Sequence, residues 1–327
     1  MRKTLSIIVP VYNSKDFLKE SLGCLKRQNS DCLEFIIVND GSTDNSESIV
    51  QNITRDDNRF LYIAKPMNTG YGHTCNLGIA HSSGDYIAVF EPDDLIPDDF
   101  YQVLLHHANI TNADIIKYNG IYKFNTNVDN KERIFKLKNF PKGKFFKYDY
   151  PRFWISHPAT INAIYKKEFL YNNCIKYVEG AGASYQDVQF LVSLFYGNPS
   201  IVLLDQCKYM YRHHNGQSVN QTSSNILDNV IKNWKEFFVI SREFINRESS
   251  WFAIIQMYRQ CISLEKRMVR NSNQLSIFYV KSLFRYGFPK IEQLRWFGFS
   301  KIDIVKFYLF PIRVLFLYLI SKTPFFS

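Results

Sequence analysis

Three carboxylates stand close together in Phe90-Glu91-Pro92-Asp93-Asp94, at the end of a strand predicted over residues 85–90. Carboxylates held at one strand end repel each other unless a cation shares them, and a divalent ion that bridges to phosphate oxygens is the commonest such cation. The alternative is a helix N-terminus ahead of Pro97, where acidic side chains suit the helix dipole. Taken alone, the cluster leaves a metal site and a helix start equally open.

Apolar segments that alternate with helix-like segments place this cluster in a fold. Residues 5–9, 34–38, 60–64 and 85–90 are short runs rich in β-branched and aromatic residues, which predict strands. Near-continuous apolar strands separated by helices indicate an α/β fold with a mostly parallel sheet. Ligands bind beyond the carboxyl ends of such strands, so the polar residues at those ends should meet in one crevice.

The loops that usually bind nucleotides in such folds are missing from the sequence. Pro10-Val11-Tyr12-Asn13 follows the first strand where a dinucleotide fold has Gly-x-Gly-x-x-Gly, and no Gly-x-x-x-x-Gly-Lys-Ser/Thr occurs. The segment that begins at Gly70 lacks the third glycine and follows the third strand. These absences argue against a dehydrogenase and against a P-loop enzyme.

Net charge is distributed unevenly along the 327 residues. The formal charge is +10, but residues 221–327 hold 16 Lys and Arg against 7 Asp and Glu, so the first 220 residues are close to neutral. Nucleic-acid proteins carry basic patches over their binding domains, and this distribution therefore argues against a nucleic-acid partner. Six cysteines without metal-type spacing, and the lack of a secretion signal, predict free thiols in a reducing cytosol.

The basic C-terminal segment also contains the aromatic run 307–320, which predicts a helix. Pro311 and Arg313 interrupt this run, and it is too short to span a bilayer. Cationic and aromatic residues together predict a helix that lies on an anionic membrane face. Packing of the helix on its own domain is the alternative, and both stay open.

Five motifs follow one another along the chain: Ser6-Ile-Ile-Val-Pro-Val-Tyr-Asn13, Ile36-Ile-Val-Asn-Asp-Gly-Ser-Thr-Asp44, Asn68-Thr-Gly70 with Asn76 and Gly78, Gly84-Asp-Tyr-Ile-Ala88 and Glu91-Pro-Asp-Asp94. In this order they resemble family 2 glycosyltransferases of the GT-A fold, closely over residues 4–120 and more loosely to about 220. The resemblance implies a mostly parallel α/β sheet flanked by helices, a nucleotide-diphosphate sugar donor, Mn²⁺ or Mg²⁺ as cofactor, and inversion at the anomeric carbon.

The resemblance assigns metal-binding roles to the acidic cluster. Glu91, Asp93 and Asp94 match the family's Asp-x-Asp element, which clamps the diphosphate through the metal. Glu91 replaces the usual first aspartate, and its extra methylene weakens the case for its own metal contact. His213 is the predicted further ligand, and His214 is an alternative. The pattern also fits a polar loop in which both histidines only face solvent and bind nothing.

The general base is also predicted from the resemblance. An inverting displacement needs a base within hydrogen-bond reach of the acceptor hydroxyl. Asp187, at the start of a predicted helix, matches the second residue of the family's Glu-Asp pair, and Gln186 replaces the first. Glu179 and Asp205 are the nearest rivals, and a first-turn aspartate that only favours the helix dipole is the structural alternative.

The donor site is predicted at the ends of the first three strands. Asp40 matches the family carboxylate that accepts a hydrogen bond from a uracil ring, and a turn aspartate ahead of Gly41 is the alternative. Arg212 would pair with phosphate. Cys75 stands where the family often has arginine. The predicted donor-binding residues are Pro10, Tyr12, Asn13, Asp40, Asn68, Gly70, Asn76, Asp93 and Arg212.

The predicted domains are a GT-A domain at 1–220 and a basic helical region at 221–327. Residues 1–120 form the nucleotide-sugar half of the first and residues 121–220 its acceptor half, where Trp154 or His157 would contact the acceptor, although Trp154 also suits a core position. The predicted reaction moves a sugar from a UDP-sugar to a saccharide, lipid-linked in our interpretation, in bacterial surface glycan synthesis. The predicted location is the cytoplasmic face of the plasma membrane, and homo-oligomerisation stays open.

Two other functions fit part of the pattern. Glu91, Cys75 and Gln186 depart from the family, as they would in a catalytically silent subunit that binds a sugar nucleotide or a glycan. A nucleotidyltransferase has a related sheet with a carboxylate-bound metal, but it typically carries a Gly-rich basic loop after the first strand, which this sequence lacks.

Overall fold

The chain divides into two compact units, Met1–Ser218 and Val219–Ser327. All six cysteines are free thiols. The computed structural model describes residues 4–125, 128–133, 135–156, 158–180, 185–214, 224–241, 250–267, 273–286, 288–296 and 299–321. His157, a predicted acceptor contact, lies outside these residues.

The central strands of the first unit are short apolar runs. Burial on both faces explains this pattern: Leu5–Val11 and Tyr86–Val89 are buried along their whole length, whereas Phe60–Ala64 is only partly buried. The strands are β1 (Leu5–Val11), β2 (Leu33–Asn39), β3 (Phe60–Ala64), β4 (Tyr86–Val89), β5 (Ile115–Tyr118), β6 (Ile121–Asn125), β7 (Val128–Arg133), β8 (Lys144–Phe145), β9 (Ala163–Lys166), β10 (Ile201–Leu204) and β11 (Tyr209–Arg212).

Eight of these strands form one sheet, in the order β3-β2-β1-β4-β9-β5-β10-β8. β1 to β4 are parallel and so are β5 and β10, whereas β9 and β8 run antiparallel to their neighbours. The predicted α/β class is therefore confirmed. β2 lies on one side of β1 and β4 on the other, so the strand order reverses at β1, where α/β sheets open a crevice at their carboxyl ends.

A second, three-stranded sheet has the order β11-β6-β7. β11 pairs parallel with β6, and β6 pairs antiparallel with β7. Leu95 forms an isolated antiparallel bridge with Met210 of β11, so this sheet is joined to the turn that follows β4. Trp154, for which an acceptor contact and a core position were both open, is fully buried.

Helices of the first unit flank the large sheet. The first of them shows why they form: Leu18, Leu22 and Leu25 recur at helical spacing and are buried, while Lys19 and Glu20 are exposed. The helices are α1 (Leu18–Lys26), α2 (Ser46–Thr54), α3 (Tyr71–His81), α4 (Phe100–Thr111), α5 (Lys167–Asn172) and α6 (Gln186–Gly197).

The described part of the second unit is helical. Its core contains Trp234, Phe252, Tyr279 and Phe307, all essentially fully buried. None of its described helices is both long enough and apolar enough to cross a bilayer. The helices are α7 (Ser224–Ile240), α8 (Trp251–Arg267), α9 (Asn273–Tyr286), α10 (Ile291–Trp296) and α11 (Lys301–Ser321).

Candidate active site

The acidic turn after β4 is held by β11. Asp94 is fully buried: its Oδ2 accepts a hydrogen bond from the Tyr209 hydroxyl at 2.8 Å, and its Oδ1 accepts one from the Arg212 amide at 2.8 Å. Burial and the charge of Asp93 raise the pKa of Asp94 well above its usual range. Both oxygens of Asp94 therefore face the protein, while Asp93 is left at the partly exposed side of the turn.

Asp93 lies against His214. Asp93 Oδ2 and His214 Nε2 are 2.9 Å apart, and about a fifth of each side chain is exposed. The His214 ring also packs on Phe17, at 4.3 Å between ring centroids. His213, the predicted ligand, contributes its backbone amide, which donates to the carbonyl of Phe124 at 2.8 Å. The structure thus brings the side chain of His214 to the acidic turn.

Arg212, predicted to bind phosphate, is buried and engaged within the protein. Its Nε donates to the carbonyl of Asp93 at 2.7 Å and its Nη2 to the carboxylate of Glu20. The guanidinium carbon lies 5.4 Å from the ring centre of Phe17 and 5.0 Å from that of Phe124. Through these hydrogen bonds and ring contacts, the guanidinium connects α1, the acidic turn and β11.

Glu91 points to α3. Its Oε1 accepts a hydrogen bond from the Tyr71 hydroxyl at 2.6 Å, and its backbone amide donates to Tyr209 Oη at 3.4 Å. Burial, together with the charges of Asp93 and Asp187, raises the pKa of Glu91 to about 8, while the hydrogen bond from Tyr71 opposes the rise. The charge of Asp187 contributes to this shift, so the predicted base lies within electrostatic range of Glu91.

Asp40, at the end of β2, is buried in an ion pair with Lys65. Its Oδ1 accepts from Lys65 Nζ at 2.6 Å and from the Thr69 amide at 2.9 Å, and its Oδ2 accepts from the Gly70 amide at 3.1 Å. Lys65 also donates to Thr74 Oγ1 at 2.9 Å. This ion pair fixes the turn that contains Asn68, which is exposed, and leads into α3.

The end of β1 and the residues that follow it include the predicted base-binding residues Pro10, Tyr12 and Asn13. Pro10 is buried in the strand, and the ring of Tyr12 is exposed. Asn13 adopts φ 47°, a left-handed conformation that asparagine tolerates. Its amide donates to Ser42 Oγ at 3.1 Å and its Oδ1 accepts from the Thr43 amide at 2.8 Å, which joins the ends of β1 and β2.

Asn76, a predicted donor-binding residue, joins α3 to the segment ahead of Asp187. Its Nδ2 donates to the carbonyl of Tyr177 and to Glu179 Oε1, both at 2.9 Å, and its Oδ1 accepts from the Tyr177 amide at 3.0 Å. Close packing accompanies these bonds, because a Cβ on Gly72 would lie 1.8 Å from the carbonyl oxygen of Val178.

Asp187 lies in the first turn of α6. Burial raises its pKa to about 6, while its own amide, the Val188 amide and the charge of Lys117 oppose the rise. Lys117 is buried, and its Nζ donates to Asn162 Oδ1 at 2.7 Å and to the carbonyl of Ala159. Burial lowers the pKa of Lys117 to about 7, and the charge of Asp187 opposes that shift. A carboxylate with a pKa near neutrality can accept a proton from a hydroxyl.

Sequence reasoning missed Lys117 and Lys65, and it named His214 only as the alternative to His213. Lys117 interrupts the apolar strand Ile115–Tyr118, and a lysine at a buried strand position is a signal that could have identified it. His214 could have been preferred over His213 by strand alternation, since Arg212 and His214 both pack on Phe17. Lys65 carries no comparable signal, because a lysine that follows a strand is common and is usually exposed, whereas Lys65 is buried.

The described residues contain no group of three His, Cys, Asp or Glu side chains arranged to hold a metal ion. Asp93 and His214 form a pair of suitable type, since carboxylate oxygen and imidazole nitrogen bind Mn²⁺, and carboxylate oxygen binds Mg²⁺. Two protein ligands leave room for oxygens of a bound phosphate, which is how Mg²⁺ is usually held at phosphate-binding sites. The donor set therefore fits a metal that a phosphorylated ligand would help to bind.

Two solved structures share the fold. S. aureus TarS 1–349 in complex with UDP superposes with a TM-score of 0.60 and 16% identity over 99% of this chain and 94% of that one. The mannosyltransferase PcManGT from Pyrobaculum calidifontis, in complex with GDP-Man and Mn²⁺, has a TM-score of 0.51 and 13% identity over 99% and 89% of the two chains. This chain therefore has the GT-A fold that was predicted.

Curated relatives match over shorter stretches. The glycosyltransferase GlyG of Streptococcus pneumoniae is 30% identical over 116 residues, which are 36% of this chain and 38% of GlyG. The Campylobacter jejuni enzyme GalNAc(5)-diNAcBac-PP-undecaprenol beta-1,3-glucosyltransferase is 30% identical over 106 residues, 32% of this chain and 34% of that enzyme. These matches thus span about a third of each relative's length.

The family model described as glycosyl transferase family 2 matches residues 6–173, about half of the chain. This match contains β1 to β5, the acidic turn, Asp40 and Lys117. It ends ahead of Asp187 and His214. The chain belongs to glycosyl transferase family 2.

Proposed function

We propose that this chain transfers a sugar from a UDP-sugar to a hydroxyl of a saccharide acceptor, with metal assistance and with inversion at the anomeric carbon. The observation that carries the proposal is the contact between Asp93 and His214 at the turn after β4, where Glu91 of the same turn lies within electrostatic range of Asp187. Family membership supports the reaction class. The TarS complex with UDP supports the nucleotide, because the two chains share a fold.

The uridine would bind between the ends of β1 and β2. The exposed ring of Tyr12 offers a stacking surface for the base, with Pro10 and Asn13 beside it. A carboxylate has about four lone-pair positions, and protein donors use three on Asp40, so one position on Oδ2 can accept the N3–H of uracil. Asn68 and Gly70 would line the sugar and phosphate side.

Asp93 and His214 would hold Mn²⁺ or Mg²⁺ together with the donor diphosphate. The bound ion would offset the negative charge that develops on the diphosphate as the glycosidic bond breaks. Asp94 and Arg212 would position the turn that carries Asp93, because their polar atoms are bonded within the protein. Glu91 and His213 stay predicted ligands, and Glu91 would have to give up its bond to Tyr71 to serve as one.

Asp187 would act as the general base. The acceptor oxygen forms a bond to the anomeric carbon, the bond from that carbon to the diphosphate oxygen breaks, and UDP leaves with the electron pair. Asp187 takes the proton of the acceptor hydroxyl, which it can do only in its deprotonated form. Attack from the face opposite the leaving group accounts for the inversion.

The acceptor would be a lipid-linked saccharide in bacterial surface glycan synthesis. The name of the Campylobacter relative contains a saccharide on an undecaprenol diphosphate, which supports an acceptor of this kind. The basic segment 221–327 supports a location at the cytoplasmic face of the plasma membrane, where anionic lipids would attract it.

The test is UDP release from a panel of UDP-sugars with Mn²⁺ or Mg²⁺. We expect slow donor hydrolysis with one sugar, abolished by a chelator and by Asp93→Ala. Asp187→Asn should abolish transfer to an acceptor, and Glu168→Gln, which changes a carboxylate exposed on the surface, should retain full activity. If no donor gives UDP release and UDP binding does not depend on metal, the proposal is overturned. Tight UDP binding without turnover, even with acceptors, would favour the silent-subunit alternative.

A further inference from the structure

One face of α11 is apolar and exposed to solvent. Ile304, Phe307 and Phe310 are buried on the inner side of this helix. On the outer side Ile302 is 67% exposed, Val305 54%, Leu309 53% and Ile312 62%. These four residues recur every three or four positions, so they form one stripe along the helix. A helix that is apolar on both sides is normally covered on both sides.

The stripe continues onto the end of α9. Tyr308 of α11 stacks on Phe288, with 6.4 Å between ring centroids, and its hydroxyl donates to the carbonyl of Pro289. Phe288 meets Phe284 edge to face at 6.1 Å, and both phenylalanines are exposed. We call Phe284, Phe288, Ile302, Val305, Leu309 and Ile312 the apolar strip. Contiguous exposed apolar surface of this kind marks an interaction site.

Exposed cations surround the apolar strip. Between residues 276 and 312, six basic side chains are exposed, against the two acidic side chains of Glu292 and Asp303. Two of the basic residues, Lys301 and Lys306, lie on α11 itself, next to Ile302 and Val305. The six are Lys281, Arg285, Lys290, Arg295, Lys301 and Lys306.

We propose that the apolar strip inserts into the headgroup region of a membrane that contains anionic lipids. The boundary between headgroups and acyl chains would bury the apolar strip, and the anionic headgroups would attract the exposed cations. A second copy of this chain fits less well, because pairing two strips would bring two sets of six cations together. Since no described helix is suited to cross a bilayer, the contact lies on the surface.

This membrane contact goes beyond the proposed transfer reaction and does not depend on it. It would hold the chain at the surface where a lipid-linked acceptor is presented, whichever sugar is transferred. Binding to vesicles is measured without a donor or an acceptor, so failure of the membrane proposal and failure of the proposed function give separate results.

The test is co-sedimentation of the full chain with vesicles of phosphatidylcholine, with and without 30% phosphatidylglycerol. We expect at least tenfold more binding to the anionic vesicles, and at least a tenfold decrease when NaCl rises from about 0.1 M to 0.5 M. Val305→Glu with Leu309→Glu should lower binding at least tenfold. Ile110→Glu is the matched control, because Ile110 is 67% exposed on α4 in the other unit.

A second variant separates charge from apolar insertion. Lys301→Gln with Lys306→Gln should weaken binding to anionic vesicles and leave the weak binding to phosphatidylcholine unchanged. Circular dichroism and thermal unfolding establish that each variant is folded. No binding to anionic vesicles, or equal binding by the Glu double variant, would overturn the proposal. A dimer in analytical ultracentrifugation that the Glu double variant abolishes would assign the strip to a second copy instead, and would also overturn it.

Discussion

Asp187 is the residue whose chemistry depends most on its surroundings. Burial raises its pKa to about 6, and the base works only when deprotonated. We therefore predict that kcat/KM is constant above about pH 7 and falls about tenfold per pH unit below pH 6. The measurement is the pH dependence of UDP release at saturating metal. Asp187→Asn should lower kcat by about 10²–10⁴.

Two controls separate this effect from unfolding. Circular dichroism at each pH shows whether the chain is folded where the rate falls. Asp187→Asn should not lower the thermal unfolding temperature, because the amide removes a carboxylate whose charge is disfavoured by burial. An activity that stays constant down to pH 4.5 in folded protein would contradict the assignment of Asp187 as the base.

Alanine substitution of the two adjacent histidines should change the Mn²⁺ requirement of the reaction to very different extents. His214 Nε2 lies 2.9 Å from Asp93, whereas the contact of His213 with Phe124 is made by its backbone amide, which any residue retains. We predict that His214→Ala raises the Mn²⁺ concentration for half-maximal activity by about 10–100-fold, and that His213→Ala changes it by less than about threefold. A Mn²⁺ titration of UDP release measures both. The reverse order would show that His213 is the ligand, as the sequence predicted.

At the scale of elements, the packing of α3 on residues 177–179 positions the segment that leads to Asp187. Gly72 allows this packing, because a Cβ there would lie 1.8 Å from the carbonyl oxygen of Val178. This oxygen belongs to the backbone, so a side-chain rotation cannot relieve the clash. We predict that Gly72→Ala lowers the free energy of unfolding by about 1–3 kcal/mol and reduces kcat, because the segment must shift. Urea unfolding and initial rates measure the two effects.

Gly23→Ala is the matched control for this prediction. Gly23 is also helical, but its added Cβ would meet nothing closer than the Arg27 guanidinium, at 3.7 Å. The same substitution should therefore raise the free energy of unfolding by about 0.5–1 kcal/mol at Gly23, through the lower entropy of the unfolded chain. Equal effects at the two glycines would show that the close approach of α3 to residue 178 does not constrain the site.

At the scale of the whole molecule, sequence patterns predicted the sheet and the edge at which the site forms. Apolar runs identified β1 to β4, and parallel strands place their carboxyl ends together, so Asp40 and Asp93 were expected at one edge. These inferences needed only local patterns and one rule of sheet geometry, and for that reason they could be made without a structure.

The partners of those residues could not be predicted, because they are distant in the chain. Asp93 and His214 are 121 residues apart, and Asn76 and Tyr177 are 101 apart. No local period relates such positions, and Asn76 was therefore expected to face the donor although its amide bonds to Tyr177. Which carboxylates of the acidic turn face inward depends likewise on where β11 packs.

The central claim is that Asp93 binds the donor through a metal while Asp187 acts only in the transfer step. The most direct measurement is calorimetric titration of UDP, with and without Mn²⁺, into the unmodified chain, Asp93→Ala and Asp187→Asn. We predict metal-dependent binding of equal strength in the unmodified chain and in Asp187→Asn, and at least tenfold weaker binding in Asp93→Ala. UDP affinity that is unchanged by removal of Mn²⁺ and by Asp93→Ala would contradict the account.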